Sequence, residues 1–256
     1  MPLAETAAGS IYYVEQRDPE SGLPPVILIH GAGSDHLVWP PALRRLGGAR
    51  VIAPDLPGHG RSGTPGMTTV IAYAEAVRHL MRALDIARAI VVGHSMGGAI
   101  ALTMGAHMRD DVAGLVLVGT GARLKVNPKI LNTVRDDHEA VVDMITRWAW
   151  GPDAPEDLKA RGKDQMLTID PHTTFGDYLA CDSFDITDQL SWIEAPTLVI
   201  GGTADKMAPL RLSQELVEYV SNATLVSLED AGHMLPLERP DTIANHITQW
   251  LEQTYD

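Results

Sequence analysis

The amino-acid sequence predicts an α/β domain with a mostly parallel, twisted sheet and helices on both of its faces. Six short runs rich in valine, isoleucine and leucine alternate with helix-length segments, which is the pattern of parallel strands joined by crossover helices. The runs are unbroken, as is typical of a sheet that is covered on both faces. A length of 256 residues and an apolar content of 45% fit one domain with a large core.

Each predicted element follows from its own pattern. The six apolar runs predict parallel strands over residues 24–31, 50–58, 89–95, 114–120, 196–205 and 223–233. Before them, the sequence GSIYYVEQ predicts an antiparallel strand at the edge of the sheet. Apolar residues at helical spacing predict helices over residues 69–84, 210–220 and 242–252.

Residues 121–193 interrupt the alternation, because helical patches punctuated by prolines recur there without a strong strand. We therefore expect a helical insertion into a core made of residues 1–120 and 194–256. Trp148 and Trp150 of this segment are candidates for the wall of a substrate-binding cavity. They are two residues apart, so on a helix they point in different directions and at most one should face the cavity. The alternative is that they form the small core of the segment itself.

The acidic charge balance of the chain argues against polyanionic partners. Lysine and arginine number 20 and aspartate and glutamate 33, so the net charge is −13, and no basic run offsets it. We expect neither nucleic-acid binding nor membrane binding. A cytoplasmic location is expected, since no basic-then-apolar leader is found and no window approaches the roughly 18 apolar residues of a membrane span. The single cysteine, Cys181, excludes an intramolecular disulfide. The oligomeric state is left open.

The sequence GHSMGG places Ser95 between a predicted strand and an alanine-rich helix. In a strand-turn-helix, G-x-S-x-G permits a sharp turn that lifts the serine hydroxyl out of the carboxyl edge of the sheet. The free N–H groups at the start of the following helix can stabilise an anion formed beside that hydroxyl. The motif therefore predicts a nucleophilic serine.

A nucleophilic serine needs a base, and the base needs an acid that fixes its tautomer. Asp205 directly follows one late strand and His233 follows the last, so both should lie at the same sheet edge as Ser95. Alternatives remain for the acid. Asp205 could be no more than the N-cap of a helix, and Glu229 or Asp230 could be the acid instead. Most other histidines are expected in solvent or on helix surfaces, namely His36, His79, His107, His138, His172 and His246.

Four motifs in order resemble the α/β-hydrolase superfamily over nearly the whole chain: HGAGSD, DLPGHGRS, GHSMGG, and GGTAD with AGHMLPLERP. The resemblance implies that Ser95 is the nucleophile, His233 the general base and acid, and Asp205 the orienting carboxylate. It further implies an oxyanion hole formed by the backbone N–H groups of Ala32 and Met96. By the same resemblance, segment 121–193 matches the cap of the family, His30 holds a loop, and a second set braces the nucleophile turn: Asp55, His59, Arg61 and Ser62.

The nucleophile indicates the reaction class. Dehalogenases and epoxide hydrolases of the superfamily have aspartate where Ser95 stands, so acyl transfer is favoured. The sequence is similar to bacterial carboxylesterases and carrier-protein methyl-ester esterases, and we predict a serine esterase acting on a small-molecule ester. No metal or organic cofactor is expected, because the sequence offers no metal-ligand cluster and no P-loop lysine.

Two alternatives to ester hydrolysis stay open. A carbon-carbon bond hydrolase of ring-fission keto acids would need cations in the cap to hold the substrate carboxylate. Four residues could supply them: Arg123, Lys125, Arg147 and Lys163. The second alternative is a ligand-binding relative that kept the fold without turnover.

Overall fold

The computed structural model describes residues 2–17, 22–63 and 65–255. Within them the strands are β1 (Leu3–Thr6), β2 (Gly9–Gln16), β3 (Val26–Ile29), β4 (Val51–Pro54), β5 (Ala89–His94), β6 (Val112–Val118), β7 (Thr197–Gly202) and β8 (Ala223–Leu228). They form one sheet in the order β1-β2-β4-β3-β5-β6-β7-β8. Pairing is parallel from β4 through to β8 and antiparallel on both sides of β2, so the predicted mostly parallel sheet is confirmed.

Strand β2 is antiparallel as predicted, but the prediction that it lies at the edge of the sheet is wrong. Its outer side pairs with β1, with Leu3 opposite Tyr12. Strand β1 has only four residues, LAET, of which one is buried. So short and polar a segment gives no strand signal in the sequence.

Ten α-helices lie in the described part of the chain. They are α1 (Pro41–Arg44), α2 (Val70–Ala83), α3 (Met96–His107), α4 (Pro128–Thr133), α5 (His138–Ala149), α6 (Glu156–Leu167), α7 (Pro171–Ser183), α8 (Leu210–Tyr219), α9 (Leu235–Glu238) and α10 (Pro240–Tyr255). The three helices predicted from periodicity correspond to α2, α8 and α10. The side chain of Thr69 caps α2 by accepting a hydrogen bond from the N–H of Ala72.

The sheet is covered on both faces because successive strand residues point to opposite sides. In β3, Ile27 and Ile29 pack in one buried cluster with residues of α2 and α3. Val26 and Leu28 pack in a second cluster, with residues of α1 and α10. Each helical layer therefore packs on one face of the sheet. Neither layer covers the carboxyl ends of the strands, which is where open α/β sheets bind ligands.

Helices α4 to α7 lie in the segment between β6 and β7. Residues of α4, α5 and α7 share a separate apolar cluster that includes Ile145, Trp150 and Tyr178. In contrast, none of the twelve residues of α6 is buried. No helix in the described ranges is long and apolar enough to cross a membrane.

Candidate active site

Ser95 occupies a sharp turn between β5 and α3. Its backbone has φ 54° and ψ −116°, a region that L-residues other than glycine rarely adopt. Neighbouring glycines permit the close packing around it: a Cβ on Gly93 would lie 2.0 Å from the carbonyl oxygen of Gly97, and one on Gly97 2.2 Å from that of Ile29. The G-x-S-x-G spacing is thus required by the backbone approach at this turn.

A continuous hydrogen-bonded chain joins Ser95, His233 and Asp205. Nε2 of His233 lies 3.0 Å from Oγ of Ser95, and Nδ1 of His233 lies 2.9 Å from Oδ2 of Asp205. A carboxylate oxygen only accepts, so Nδ1 carries the proton and the lone pair of Nε2 faces the serine hydroxyl. Both His233 and Asp205 are buried, which keeps water from competing for these bonds.

Asp205 also shapes the turn that follows β7. Its second oxygen, Oδ1, accepts the backbone N–H groups of Met207 and Ala208, both at 2.8 Å. The capping interpretation and the acid interpretation therefore apply to different oxygens of one carboxylate. Glu229 and Asp230 are exposed, and neither forms an ion pair with His233 among the described residues.

The backbone N–H groups of Ala32 and Met96 are the predicted donors of the oxyanion hole. Ala32 follows β3, and Met96 is the first residue of α3, where a helix leaves its N–H groups unpaired. Within the described ranges neither N–H has a hydrogen-bond acceptor. Two donors are thus available near the hydroxyl of Ser95.

His30 holds the loop that carries Ala32. Its Nε2 accepts the N–H of Leu56 at 3.0 Å, so Nδ1 carries the proton and donates to the carbonyl oxygen of Gly31 at 2.8 Å. Burial, together with the charge of His59, lowers the pKa of His30 to about 4. The ring is neutral, and its two hydrogen bonds join the loop after β3 to the loop after β4.

Asp55 joins the loops that follow β3 and β4. Oδ1 accepts both the backbone N–H and Nδ1 of His36, at 2.9 and 2.6 Å, and Oδ2 accepts the N–H of Arg61 at 2.8 Å. The hydroxyl of Ser62 donates to the carbonyl oxygen of Asp55 at 2.7 Å. His36 is buried, so the expectation that it is solvated is wrong. The reason is that its ring and its backbone N–H both bond the buried carboxylate of Asp55.

Asp35, His36 and Asp55 offer the one trio of possible metal-ligand atoms found in the described ranges, all within 4.8 Å of one another. Their polar atoms already hold loops: besides the bonds of Asp55, Oδ1 of Asp35 accepts the N–H of Leu37 at 2.8 Å. Asp35 also bonds Gln165 of α6. We assign this trio a bracing role.

The loop that carries His233 is fastened to the end of α5, which sequence reasoning missed. The carbonyl oxygen of Ala149 accepts the N–H groups of both His233 and Met234, at 2.7 and 3.0 Å. Oε2 of Glu238 accepts the N–H groups of Gly151 and Gly232, at 3.0 and 3.1 Å. The position of the imidazole therefore depends on the 149–151 junction.

His94 supports the same loop and was also missed. Its Nε2–H donates to the carbonyl oxygen of His233 at 2.8 Å. Burial, with the charge of His233 adding to it, lowers the pKa of His94 to about 3, so the ring is neutral. Within GHSMGG it occupies a position whose side chain the motif does not specify, so no sequence signal identified it.

Ser95, His94 and His233 line a cavity of about 530 Å³, a volume typical of a small-molecule site. Its other lining residues come from α5, α6, α7 and α9 and from the loops after β3, β6, β7 and β8. Most are apolar, among them Leu37, Val38, Leu124, Val126, Ile145, Leu158, Met166, Tyr178, Met207, Met234 and Leu237. The charged lining residues Lys125, Arg161 and Asp164 are exposed.

Neither Trp148 nor Trp150 is among the described residues that line this cavity, so the expectation that one of them forms its wall is wrong. Helix α5 turns Ile145 and Ala149 toward the cavity, and Trp148 lies about 100° around the helix from Ala149 and is 36% exposed. Trp150 is 8% exposed and belongs to the apolar cluster of the segment.

Comparison with known proteins agrees with this architecture. The enol-lactonase from Burkholderia xenovorans LB400 superposes with a TM-score of 0.91 at 27% identity, covering 98% of this chain and 100% of that one. A thermophilic esterase from Thermogutta terrifontis gives 0.89 at 26%, covering 100% and 99%. In sequence, 2-hydroxy-6-oxo-6-phenylhexa-2,4-dienoate hydrolase of Comamonas testosteroni is 27% identical over 95% of this chain and 91% of its own length.

The family model described as the alpha/beta hydrolase fold matches residues 24–240, which include β3, the serine turn and the segments carrying Asp205 and His233. The predicted fold class is confirmed by this match and by the sheet order. The chain therefore belongs to the α/β-hydrolase superfamily.

Proposed function

We propose that this chain is a serine esterase that cleaves small carboxylic esters through an acyl-enzyme on Ser95. One observation carries the proposal: the chain of bonds from Ser95 through His233 to Asp205 opens into an apolar cavity. Nucleophile, base and orienting acid are within hydrogen-bond reach of one another, which is the arrangement that acyl transfer needs.

The steps follow from the protonation of the imidazole. Nε2 of His233 takes the hydroxyl proton as Oγ of Ser95 attacks the acyl carbon, and Asp205 stabilises the imidazolium that forms. The N–H groups of Ala32 and Met96 donate to the oxyanion. As the tetrahedral intermediate collapses, the C–O bond of the ester breaks and the imidazolium protonates the departing oxygen, which leaves as the alcohol. Water, deprotonated by Nε2, then attacks the acyl-enzyme, and the bond between the acyl carbon and Oγ breaks to release the acid and restore the serine hydroxyl.

The charges of the cavity favour an uncharged ester. A carboxylate buried near Ser95 would need a paired cation, because an isolated buried charge is strongly disfavoured. Among the four basic residues considered for a keto-acid substrate, Lys125 lines the cavity but is exposed. Arg161 also lines the cavity, but it is exposed and pairs with Asp157. Arg123 pairs with Glu215, and Lys163 with Asp143. Carbon-carbon bond cleavage is therefore the weaker candidate.

We also propose that segment 121–193 acts as the cap that selects the substrate. The support is that α5, α6 and α7 supply much of the cavity lining, including Ile145, Leu158 and Tyr178. A cytoplasmic location stays a prediction.

The test is a panel of p-nitrophenyl esters of graded acyl length, together with an enol-lactone and a ring-fission keto acid. We expect ester turnover that Ser95→Ala lowers roughly 10³-fold or more in kcat/KM. The matched control is circular dichroism and thermal melting of Ser95→Ala, which should stay folded because alanine fits wherever this serine does. Near-normal turnover by the folded variant would exclude the serine mechanism. A kcat/KM higher for the keto acid than for every ester would establish the alternative instead.

A further inference from the structure

A fully buried carboxylate, Asp177 of α7, joins three distant parts of the chain. Its Oδ2 accepts the backbone N–H of Gly33 at 2.8 Å and Nε2–H of His59 at 2.7 Å. Its Oδ1 accepts the hydroxyl of Tyr73. The side chains of Asp177 and His59 are both 0% exposed, so every one of these bonds is shielded from water.

The surroundings of His59 favour its charged form beside Asp177. Nδ1 of His59 donates to the carbonyl oxygen of Pro57 at 3.0 Å, so both ring nitrogens face acceptors. Burial alone would lower the pKa of His59, but the charge and hydrogen bond of Asp177 more than offset it and the pKa is raised. A buried pair of this kind is costly to break from one side, because the remaining charge is left without a partner.

The bond from Asp177 to Gly33 fixes one side of Ala32. The peptide group between Ala32 and Gly33 is held through the N–H of Gly33. The preceding peptide group, between Gly31 and Ala32, is held through its carbonyl oxygen by Nδ1–H of His30 at 2.8 Å. Because each peptide group is planar, both planes that meet at the Cα of Ala32 are fixed. The N–H of Ala32 itself points away from the carbonyl that His30 holds and has no acceptor in the described ranges.

We propose that Asp177 is a positioning residue that orients the N–H of Ala32 toward the oxyanion, acting from the cap segment through Gly33. The inference rests on the proposed function for its catalytic consequence. The bond to Gly33 is a geometric fact of the fold and can be tested without any substrate.

The kinetic test compares Asp177→Leu, which is similar in size but has no hydrogen-bond acceptor, with the wild type on an ester and on its thionoester, in which sulfur replaces the carbonyl oxygen. Sulfur is a weak hydrogen-bond acceptor, so the thionoester gains little from the donors. Misplacing the N–H of Ala32 should lower kcat for the oxygen ester by about 10- to 100-fold with KM little changed, and it should lower the oxygen-to-sulfur rate ratio by a similar factor. An unchanged ratio in folded Asp177→Leu would overturn the proposal, whatever happened to stability.

Two variants separate positioning from general loosening. Tyr73→Phe removes the partner of Oδ1 and leaves the bond to Gly33, so it should lower Tm with the rate ratio unchanged. Asp170 caps the same helix, because its carboxylate accepts the N–H groups of His172 and Thr173. Asp170→Asn should therefore leave the rates on both esters unchanged. If Tyr73→Phe lowered the ratio as much as Asp177→Leu, loosening would explain the effect and positioning would be wrong.

Amide hydrogen exchange of the wild-type chain tests the bond from Asp177 to Gly33 even if Asp177→Leu fails to fold. The N–H of Gly33, bonded to a buried carboxylate, should exchange at least about 100-fold more slowly than that of Ala32. Equal exchange at both amides would overturn the proposal. Slow exchange at Gly33 in a chain without any ester turnover would count against the proposed function alone.

Discussion

Replacing Trp150 by alanine tests how helices α5 and α6 are held together beside the site. Its ring packs on Gly162 of α6, where a Cβ would lie 2.7 Å from a ring carbon. Trp150 also stands between the two residues that fasten the loop of His233, Ala149 and Gly151. The ring is 8% exposed, so the substitution removes almost entirely buried apolar surface.

The expected loss of stability follows from that burial. A buried aromatic ring removes about 150–250 Å² from water, and at about 25 cal/mol per Å² this corresponds to about 4–6 kcal/mol. Tryptophan-to-alanine changes in cores cost about 3–5 kcal/mol, so we expect about 4 kcal/mol for Trp150→Ala. In a chain of this size that lowers Tm by roughly 8–16 °C.

Trp148→Ala is the matched control, because Trp148 is two residues away and 36% exposed. We expect it to cost less than about 1 kcal/mol. Urea unfolding followed by circular dichroism measures both variants, and the ester panel measures their acyl-length profiles. Because neither ring lines the cavity, neither profile should change. Equal stability losses in the two variants would refute the conclusion that only Trp150 packs in the core. A changed acyl-length profile in either variant would refute the conclusion that neither tryptophan lines the cavity.

Three further predictions concern the site. Asp205→Asn should lower kcat by up to about 10⁴-fold without unfolding the chain, because it loses the carboxylate acceptor that fixes the tautomer of His233. Glu229 is exposed, so Glu229→Gln should leave kcat unchanged. Ester kinetics measure both variants, and a larger loss in Glu229→Gln would make Glu229 the acid. Leu158→Trp should shorten the longest acyl chain accepted, since Leu158 lines the cavity; an unchanged ester profile would contradict this. Burial holds the pKa of His94 at about 3 and that of His30 at about 4, below the ordinary 6.5, so only the unfolded chain gains these protons as the pH falls from 6.5. Each of the two rings should therefore lower the free energy of unfolding by about 1 kcal/mol for each pH unit below 6.5, as measured by urea unfolding. In His94→Gln the free energy of unfolding should depend less steeply on pH than in the wild type, and an equal dependence would contradict this prediction.

The sheet was predictable from the sequence because each buried strand is an apolar run with its own boundaries. The proposed nucleophile, base and acid were also identifiable as candidates, since each follows a predicted strand and parallel strands end at the same edge. Strand β1 was not predictable: its place depends on pairing with β2, and four residues carry no pattern.

The buried polar contacts could not be read from the sequence, because their partners are far apart in the chain. Asp177 appears there as one aspartate in a helix, and nothing in HTTFGDYLA points to Gly33 or His59. His36 was misjudged for the same reason, since its partner is Asp55. Trp148 and Trp150 could be expected to differ, but which side of α5 faces the cavity depends on tertiary packing.

The left-handed backbone at Ser95 implies a trade-off between activity and stability. A non-glycine residue held at φ 54° and ψ −116° costs about 1–3 kcal/mol, which the surrounding sheet and helix must offset. Glycine would relieve that strain in a turn already flanked by glycines, and folding alone gives no reason to keep a side chain there. Under the proposed function, the chemistry of the hydroxyl is the reason to keep a side chain there, so relaxed selection for catalysis should first appear as glycine at residue 95.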